Sequence, residues 1–322
     1  MTGKVLITDD MHETFVDSLV KMGFECNYKP DIEQHDVMNI IADYMGLIIS
    51  SHIKVDAELI DRANKLLFVG RAGSGMESID VEYLDKKGVI SLNSPEGNKD
   101  AVAEHCLGMI LALLNNIAYA DRQLRQGLWL REENRGEELG GKVVGIIGYG
   151  NTGSSFANKL KGLEVEVLAY DKYKHGFGTE GIIETDMDEL FQRVDVLSLH
   201  IPLNEVTRQM ANKAFFDQFK KPLYFINSSR GKIVNTTDMI DALRSGKMLG
   251  AVIDVFEHEG IDSLPEEDQI WFDELKWMDN VIMTPHVAGW SHQSRERIST
   301  VLIDKIRNHL PELEQKAKLQ EL

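Results

Sequence analysis

The sequence predicts an α/β protein of two domains, with a doubly wound parallel sheet inserted into a smaller α/β domain. Three observations predict it. Short apolar strands alternate with helix-like stretches along the first third of the chain. A strand, a glycine loop, a helix and a second strand follow one another near the middle. Four more strand candidates come after that unit, before an amphipathic C-terminal stretch. Alternation of this kind builds βαβ units whose strands lie parallel.

In order along the chain, Val5-Leu6-Ile7, Leu47-Ile48-Ile49, Leu67-Phe68-Val69 and Val89-Ile90-Ser91 read as strands. The helices between them span residues 13–22, 37–43, 57–62 and 81–86. Ser94-Pro95-Glu96-Gly97-Asn98 reads as a loop that breaks the pattern. From Asp100 an apolar stretch through Val102, Leu107, Ile110, Leu113 and Ile117 continues as one helix to about Leu124. A helix so apolar must be buried, within its own domain or against a second subunit. Later strands are expected at 194–199, 223–226, 249–253 and 281–283, and an amphipathic helix at 293–310. These boundaries place one domain at 99–286 and a smaller one at 1–98 plus 287–322.

The middle unit carries the strongest signal. An apolar strand from Val143 runs into Gly148-Tyr149-Gly150-Asn151-Thr152-Gly153, with a helix over 154–163 behind it. The strand 165–170 then ends on Asp171, 18 positions beyond Gly153. The first glycine permits a tight turn, the second lets backbone approach a pyrophosphate, and the third lets helix and strand pack closely. That arrangement predicts a Rossmann-type dinucleotide domain. A carboxylate at Asp171 accepts hydrogen bonds from the adenosine ribose and repels a 2′-phosphate, so NAD is favoured over NADP, with Lys172 and Lys174 close enough to soften the repulsion.

Composition bounds the rest. A chain of 322 residues, 43% hydrophobic and 27% charged, has the make-up of a soluble globular protein of two ordinary domains. No apolar run has the length that crosses a bilayer, and the N-terminus lacks a signal-peptide pattern, so a cytoplasmic protein is expected. Two cysteines, Cys26 and Cys106, are expected as reduced thiols. The net charge of −17 argues against nucleic acid or an anionic membrane as partner. An anionic substrate therefore needs local cations.

Ligands of an open parallel sheet bind beyond the carboxyl ends of its strands. The late strands lead into His200 and Pro202; Asn227-Ser228-Ser229-Arg230-Gly231; Asp254-Val255-Phe256-Glu257-His258-Glu259; and Thr284-Pro285-His286. An arginine, a carboxylate and a histidine thus reach one edge. The set suits hydride transfer to a 2-oxo acid. Arg230 has the fork that grips a carboxylate, His286 can pass a proton near neutral pH, and an acid would hold the imidazole. Among the acids, Glu257, Glu259 and Asp262 all remain candidates at this point. His200 is expected to line the cofactor pocket or to pack. His105 and His292 read as structural, and no His/Cys spacing suggests a metal site.

The glycine loop with Asp171, the turn 227–231, Asp254-Val255-Phe256-x-x-Glu259 and Thr284-Pro285-His286 together resemble the D-isomer-specific 2-hydroxyacid dehydrogenase family, across essentially the whole chain. The resemblance implies NAD as cofactor, a flavodoxin-like smaller domain, Arg230 as carboxylate binder, His286 as acid/base and Glu259 as its partner. It implies that Asp254 contacts the nicotinamide amide. His200, Pro202, Thr207, Asn227, Ser228 and Ser229 join the glycine loop at the cofactor. Arg71-Ala72-Gly73-Ser74-Gly75 resembles the family's substrate loop, with Arg71, Ser74 and Gly75 at the substrate. This chain departs from the pattern at Gly260, where a proline is usual, and in a slightly long 259–286 segment.

Residues 70–80 and 93–98 resemble the branch of the family that acts on 3-phosphoglycerate in serine biosynthesis, here with no regulatory domain expected after Leu322. Arg71 is then the expected phosphate anchor, with Lys54 a weaker one; many such relatives also carry an arginine near Ser50, where this chain has none. Reductases of glyoxylate, hydroxypyruvate or another 2-oxo acid are the alternative. The formate branch does not fit, because it pairs its histidine with glutamine rather than a glutamate. NAD-sensing corepressors are a reading of another class, disfavoured by the lack of extended tails and basic patches. A homodimer built on the helix 100–124 is expected from its apolar surface and from the resemblance.

Overall fold

The computed structural model describes residues 3–50 and 52–320; the sequence expectations for residues 1–2, 51 and 321–322 lie outside them. The chain forms two compact units, Met1–Asn98 with Trp290–Leu322, and Lys99–Gly289. The second crossing thus falls three residues beyond the expected 286/287.

The first unit holds a five-stranded parallel sheet. Its strands are β1 (Lys4–Ile7), β2 (Glu25–Tyr28), β3 (Gly46–Ile49), β4 (Phe68–Arg71) and β5 (Ile90–Asn93), ordered β2-β1-β3-β4-β5. That order is the flavodoxin-like one. Leu6, Leu47, Ile49 and Val69 point to one buried face, beside Val37, Leu59 and Leu84 from α2 (Gln34–Ile40), α3 (Ala57–Arg62) and α4 (Val81–Lys86). Val5, Ile7, Ile48 and Phe68 point to the other, against Phe15 and Leu19 of α1 (Thr14–Lys21) and against Leu302 and Ile306 of the C-terminal helix. Burial on both faces is why these strands read as continuous apolar runs rather than alternating ones. Strand β2, Glu25-Cys26-Asn27-Tyr28, lies at an edge and buries little, so no apolar run announced it.

The second unit contains two long-range helices, α5 (Pro95–Leu114, which crosses into it at Lys99) and α6 (Ile117–Arg125), before its sheet begins. The sheet strands are β6 (Val143–Ile147), β7 (Glu166–Tyr170), β8 (Ile183–Glu184), β9 (Val196–Leu199), β10 (Leu223–Asn227), β11 (Met248–Ile253) and β12 (Val281–Met283). All pair parallel, in the order β12-β11-β10-β9-β6-β7-β8. Order reverses between β6 and β9, which makes their carboxyl ends the switch point where such sheets bind nucleotides. On one face α5 packs with α7 (Asn151–Leu160) through Cys106, Ile110, Leu113, Phe156 and Leu160. On the other lie α8 (Met187–Arg193), α9 (Lys213–Gln218), α10 (Thr236–Arg244) and α11 (Glu266–Leu275), around Phe215, Phe225 and Ile240.

Four sequence expectations change. Residues 94–98 are not a loop: α5 starts at Pro95, because proline suits the first helical position, whose N–H has no helical partner anyway. The expected helix 100–124 is two helices meeting at 61°, broken where Asn116 turns left-handed (φ 54°). Asparagine tolerates that conformation better than most residues. Helix α7 opens at Asn151 rather than Ser154, so Gly153 lies inside its first turn. The C-terminal helix, α12 (His292–Gln320), runs ten residues beyond Leu310 and carries Pro311 within it. Among the described residues no single helix is long and apolar enough to cross a membrane.

Candidate active site

The glycine loop is shaped by collisions that only glycine avoids. Gly148 has φ 96°, and a Cβ there would lie 2.3 Å from the carbonyl oxygen of His200. A Cβ on Gly153 would lie 2.0 Å from the carbonyl oxygen of Gly148. Strand end, loop and helix start are therefore in direct backbone contact. Gly150, the N-cap of α7, is open: a Cβ there would meet nothing within 4 Å. The loop leaves room in front of the free N–H groups of Asn151 and Thr152 and the positive end of α7, which fits a pyrophosphate.

Asp171 closes the far side. Its Oδ2 accepts from Tyr149 N (2.7 Å), and its Oδ1 from Tyr173 N (2.9 Å) and Lys174 N (3.0 Å). Burial pushes its pKa up, but these three N–H groups and the Lys174 charge outweigh that and hold the carboxyl below its usual range. Three of about four acceptor positions are filled, which fixes the acid while leaving capacity for a ribose hydroxyl. Lys174 Nζ donates to the Tyr149 carbonyl, so it braces the loop. Tyr149 stacks on Phe177 at 4.2 Å between centroids.

The three expected residues follow β10, β11 and β12, neighbours in the sheet, and two of them meet. His286 Nδ1–H donates to both oxygens of Glu259, at 2.8 and 3.0 Å. That bond occupies Nδ1 and leaves Nε2 on the other side of the ring. Of the three candidate acids, Glu259 is the one that bonds His286. Glu257 instead accepts from Thr236 N (2.8 Å) and Gln209 Nε2 (3.2 Å), and Asp262 lies in the exposed turn Ile261–Ser263. Arg230 follows β10, its guanidinium donating to the Ser229 carbonyl at 2.6 Å. Its turn is tied by Asn227, whose amide donates to the Arg230 carbonyl and accepts from Ser229 N. Ser229 Oγ donates to Leu199 O and Ser228 Oγ meets Cys106 Sγ at 3.0 Å.

Gly231 was missed as a functional position. A Cβ there would lie 1.8 Å from the carbonyl carbon of Phe256 and 2.4 Å from Glu257 N. Its absence lets the Arg230 turn press against the segment that leads to Glu259. The only sequence signal was a glycine directly after the arginine.

Asp254 is 1% exposed. Its carboxylate accepts from Thr284 Oγ1 (2.5 Å), Val287 N (2.9 Å) and Ala288 N (2.9 Å), and so holds the turn that carries His286. His200 is 8% exposed, bonds Ser198 Oγ through Nε2 at 2.8 Å and packs on Phe156; burial pushes its pKa down to about 4. Of its two expected roles the structure gives it packing: its backbone floors the glycine loop while its ring stays neutral and inside. Thr207 Oγ1 donates to the Pro202 carbonyl (2.7 Å), shaping the loop that follows β9.

In the first unit, the end of β4 leads into the expected substrate loop. Gly73 has φ 148°, and a Cβ there would lie 2.6 Å from the Arg71 guanidinium. Gly73 N donates to Ser94 Oγ (3.0 Å), Ser74 Oγ donates to Asn98 (2.8 Å), and Asn93 donates to the Ser74 carbonyl (2.8 Å). Arg71 turns back onto the Ala72 carbonyl (2.5 Å) and Ser50 Oγ (3.5 Å). Lys54 is 71% exposed and paired with Asp56 at 3.4 Å.

Residues 107–288, more than half of the chain, match the family model of the D-isomer specific 2-hydroxyacid dehydrogenase, NAD binding domain. A D-3-phosphoglycerate dehydrogenase of Archaeoglobus fulgidus is 33% identical over 307 residues, 95% of this chain and 57% of the relative; this chain thus spans a little over half the length of that enzyme. A hydroxypyruvate reductase of Thermotoga maritima is 34% identical over 280 residues, covering 87% of this chain and 89% of its own. Among solved structures, a D-lactate dehydrogenase from Aquifex aeolicus complexed with NAD and lactic acid superposes with a TM-score of 0.82, 27% identity, and coverage of 98% and 97%. The glycine loop, the paired His286 and Glu259, and these matches agree: the chain belongs to the D-isomer-specific 2-hydroxyacid dehydrogenase family and carries its NAD-binding domain.

Proposed function

We propose that this protein is an NAD-dependent dehydrogenase that interconverts 3-phosphoglycerate and 3-phosphohydroxypyruvate. The observation that carries the reaction type is His286 Nδ1–H held by both Glu259 oxygens, on the sheet edge that also carries Arg230 and the glycine loop. The Arg230 fork grips the substrate carboxylate and polarises the neighbouring carbonyl. His286 Nε2 delivers a proton to that oxygen in reduction and removes it in oxidation. Glu259 fixes the tautomer and the orientation of the ring. The glycine loop would hold the dinucleotide, which would supply the hydride acceptor as NAD and the hydride donor as NADH, and Asp171 excludes a 2′-phosphate by charge.

Arg71 supports a phosphorylated substrate, as do the relatives that bear the phosphoglycerate dehydrogenase name. A second reading, a hydroxypyruvate reductase, is favoured by Ser50, which offers Arg71 a hydroxyl instead of a second cation, and by the Thermotoga relative. Loss of 340 nm absorbance with NADH and a panel of 2-oxo acids separates the two. 3-Phosphohydroxypyruvate should exceed hydroxypyruvate in kcat/KM by about tenfold or more, and Arg71→Ala should erase most of that gap, as loss of a charge-assisted contact of about 1.5–3 kcal/mol does. Equal rates in the wild type decide for the reductase.

The protein acts as a homodimer in this reading, with the contact on the C-terminal part of the expected stretch 100–124. Helix α5 is consumed by its own core, whereas Ile117 (56%) and Leu124 (57%) of α6, with Trp129 (76%), expose the apolar surface. We place the enzyme in the cytoplasm, where its two free thiols, Cys26 and Cys106, stay reduced.

A further inference from the structure

His286 has a left-handed backbone, φ 53°. A residue with a Cβ keeps that disfavoured conformation only where its surroundings over-determine it. Here Asp254 does so with main chain and side chain together. Its carbonyl accepts from His286 N (2.7 Å), and its carboxylate accepts from Val287 N and Ala288 N, both 2.9 Å. The aim of the imidazole therefore depends on one carboxylate that is 1% exposed.

A buried carboxylate needs hydrogen-bond donors around it. His105, on α5, approaches Asp254, with Nε2 3.8 Å from Oδ1. The Thr284 hydroxyl joins them, 3.1 Å from His105 Nε2 and 2.5 Å from Asp254 Oδ1. Thr284 has one proton to give. Met109 Sδ lies 3.6 Å away, but the carboxylate is closer and charged, so it takes the proton. The hydroxyl oxygen is then an acceptor towards His105, and Nε2 must carry hydrogen.

We propose that His105 is a positioning residue for His286, acting through Thr284 and Asp254. Its N–H orients the Thr284 hydroxyl, the hydroxyl orients the carboxylate, and the carboxylate fixes the two N–H groups behind His286. His105 touches neither substrate nor cofactor in this scheme. Its effect on turnover rests on the dehydrogenase reading; its hold on the turn does not.

Two variants of His105 test it, with Thr284→Val beside them. His105→Leu keeps bulk and removes the N–H, whereas His105→Gln returns an amide N–H at about the place of Nε2. Hydrogen exchange of the 284–288 amides is measured without substrate, beside kcat with NADH and a 2-oxo acid and the Kd for NADH. The Leu variant should exchange that segment about tenfold faster with the rest of the chain unchanged, as local opening does, and should lose about tenfold in kcat at constant NADH affinity. The Gln variant should return both to within about threefold of wild type. Thr284→Val should match the Leu variant, and the two together should fall well short of additive, as links of one chain do. Unchanged exchange in the Leu variant, a Gln variant as impaired as Leu, uniformly faster exchange across the chain, or full additivity would overturn the proposal. A wild type that reduces no 2-oxo acid would sink the dehydrogenase reading instead, and the exchange data would still decide this one.

Discussion

His200→Gln should make the protein less sensitive to acid. The wild-type ring is buried against Phe156 and Ser198 under the glycine loop, and burial pushes its pKa from 6.5 down to about 4. Above pH 6.5 the ring is neutral both folded and unfolded, and burying it carries no penalty. As pH falls below 6.5 the unfolded chain takes up a proton that the folded protein accepts only near pH 4. Stability is thus lost across that window, by about 2 kcal/mol at pH 5 and about 3 kcal/mol once pH is below both values. Glutamine keeps the hydrogen bond to Ser198 and does not titrate. The protein's 52 acidic side chains also lose charge in this range, but they do so in wild type and variant alike. The assay is thermal unfolding by circular dichroism at pH 8 and pH 5, and the quantity read is the difference of differences. The variant's Tm should fall about 4–8 °C less than that of wild type, the shift expected from about 2 kcal/mol in a domain of this size. Parallel decreases in the two proteins would refute the reasoning: the ring would then be reachable by water in the folded state, and the floor of the loop looser than described.

The site itself makes sharper predictions. His286→Gln should lower turnover by about a hundredfold or more while NADH still binds, measured by fluorescence titration beside steady-state rates; near-normal turnover would remove His286 from its role. Asp171→Ser should raise the NADPH-to-NADH ratio of kcat/KM by about tenfold or more, and a wild type that already prefers NADPH would defeat that assignment. Gly153→Ala sets a methyl 2.0 Å from the Gly148 carbonyl oxygen, so NADH affinity should drop steeply. Gly231→Ala drives a methyl into the Phe256 carbonyl and should lower both stability, by about 1–3 kcal/mol, and kcat, because Arg230 and the path to Glu259 move together.

Much of the fold was legible because its strands are buried on both faces and so stand out as apolar runs: β1, β3, β6 and β10 were all found by that signal. What escaped were elements without it. Strand β2 is a polar edge, and β8 is two residues long. Short helices such as α9, capped by Asn212 and buried only through Phe215 and Phe216, complete too few turns to show a periodicity. Pro95 was read as a break because proline marks both helix starts and helix ends, and only the backbone behind it tells which.

The site was legible to the depth of the groups that do the chemistry and no further. Arg230 and His286 stand close behind strand ends because a parallel sheet delivers its strand ends to one edge, so position in sequence was enough for them, whereas Glu259 stood apart from Glu257 and Asp262 only through the family resemblance. The residues that aim them follow a different logic. Asp254 binds N–H groups 33 and 34 positions downstream, and His105 meets Thr284 across 179 positions. No spacing rule connects such residues, because their contact is made by α5 packing beside β11 and β12 rather than by the local chain. Gly231 belongs with them: what matters there is the neighbour a side chain would strike, and that neighbour, Phe256, comes from another segment. The strain at His286 follows from the same arrangement. A loop that must turn left-handed to present an imidazole cannot hold itself, so the restraint has to come from elsewhere in the fold. A buried carboxylate gripping the next two N–H groups supplies it with three hydrogen bonds from one side chain. The aim of the acid/base group is therefore as stable as the burial of Asp254, and substitutions that wet that carboxylate should loosen His286 before they unfold the domain.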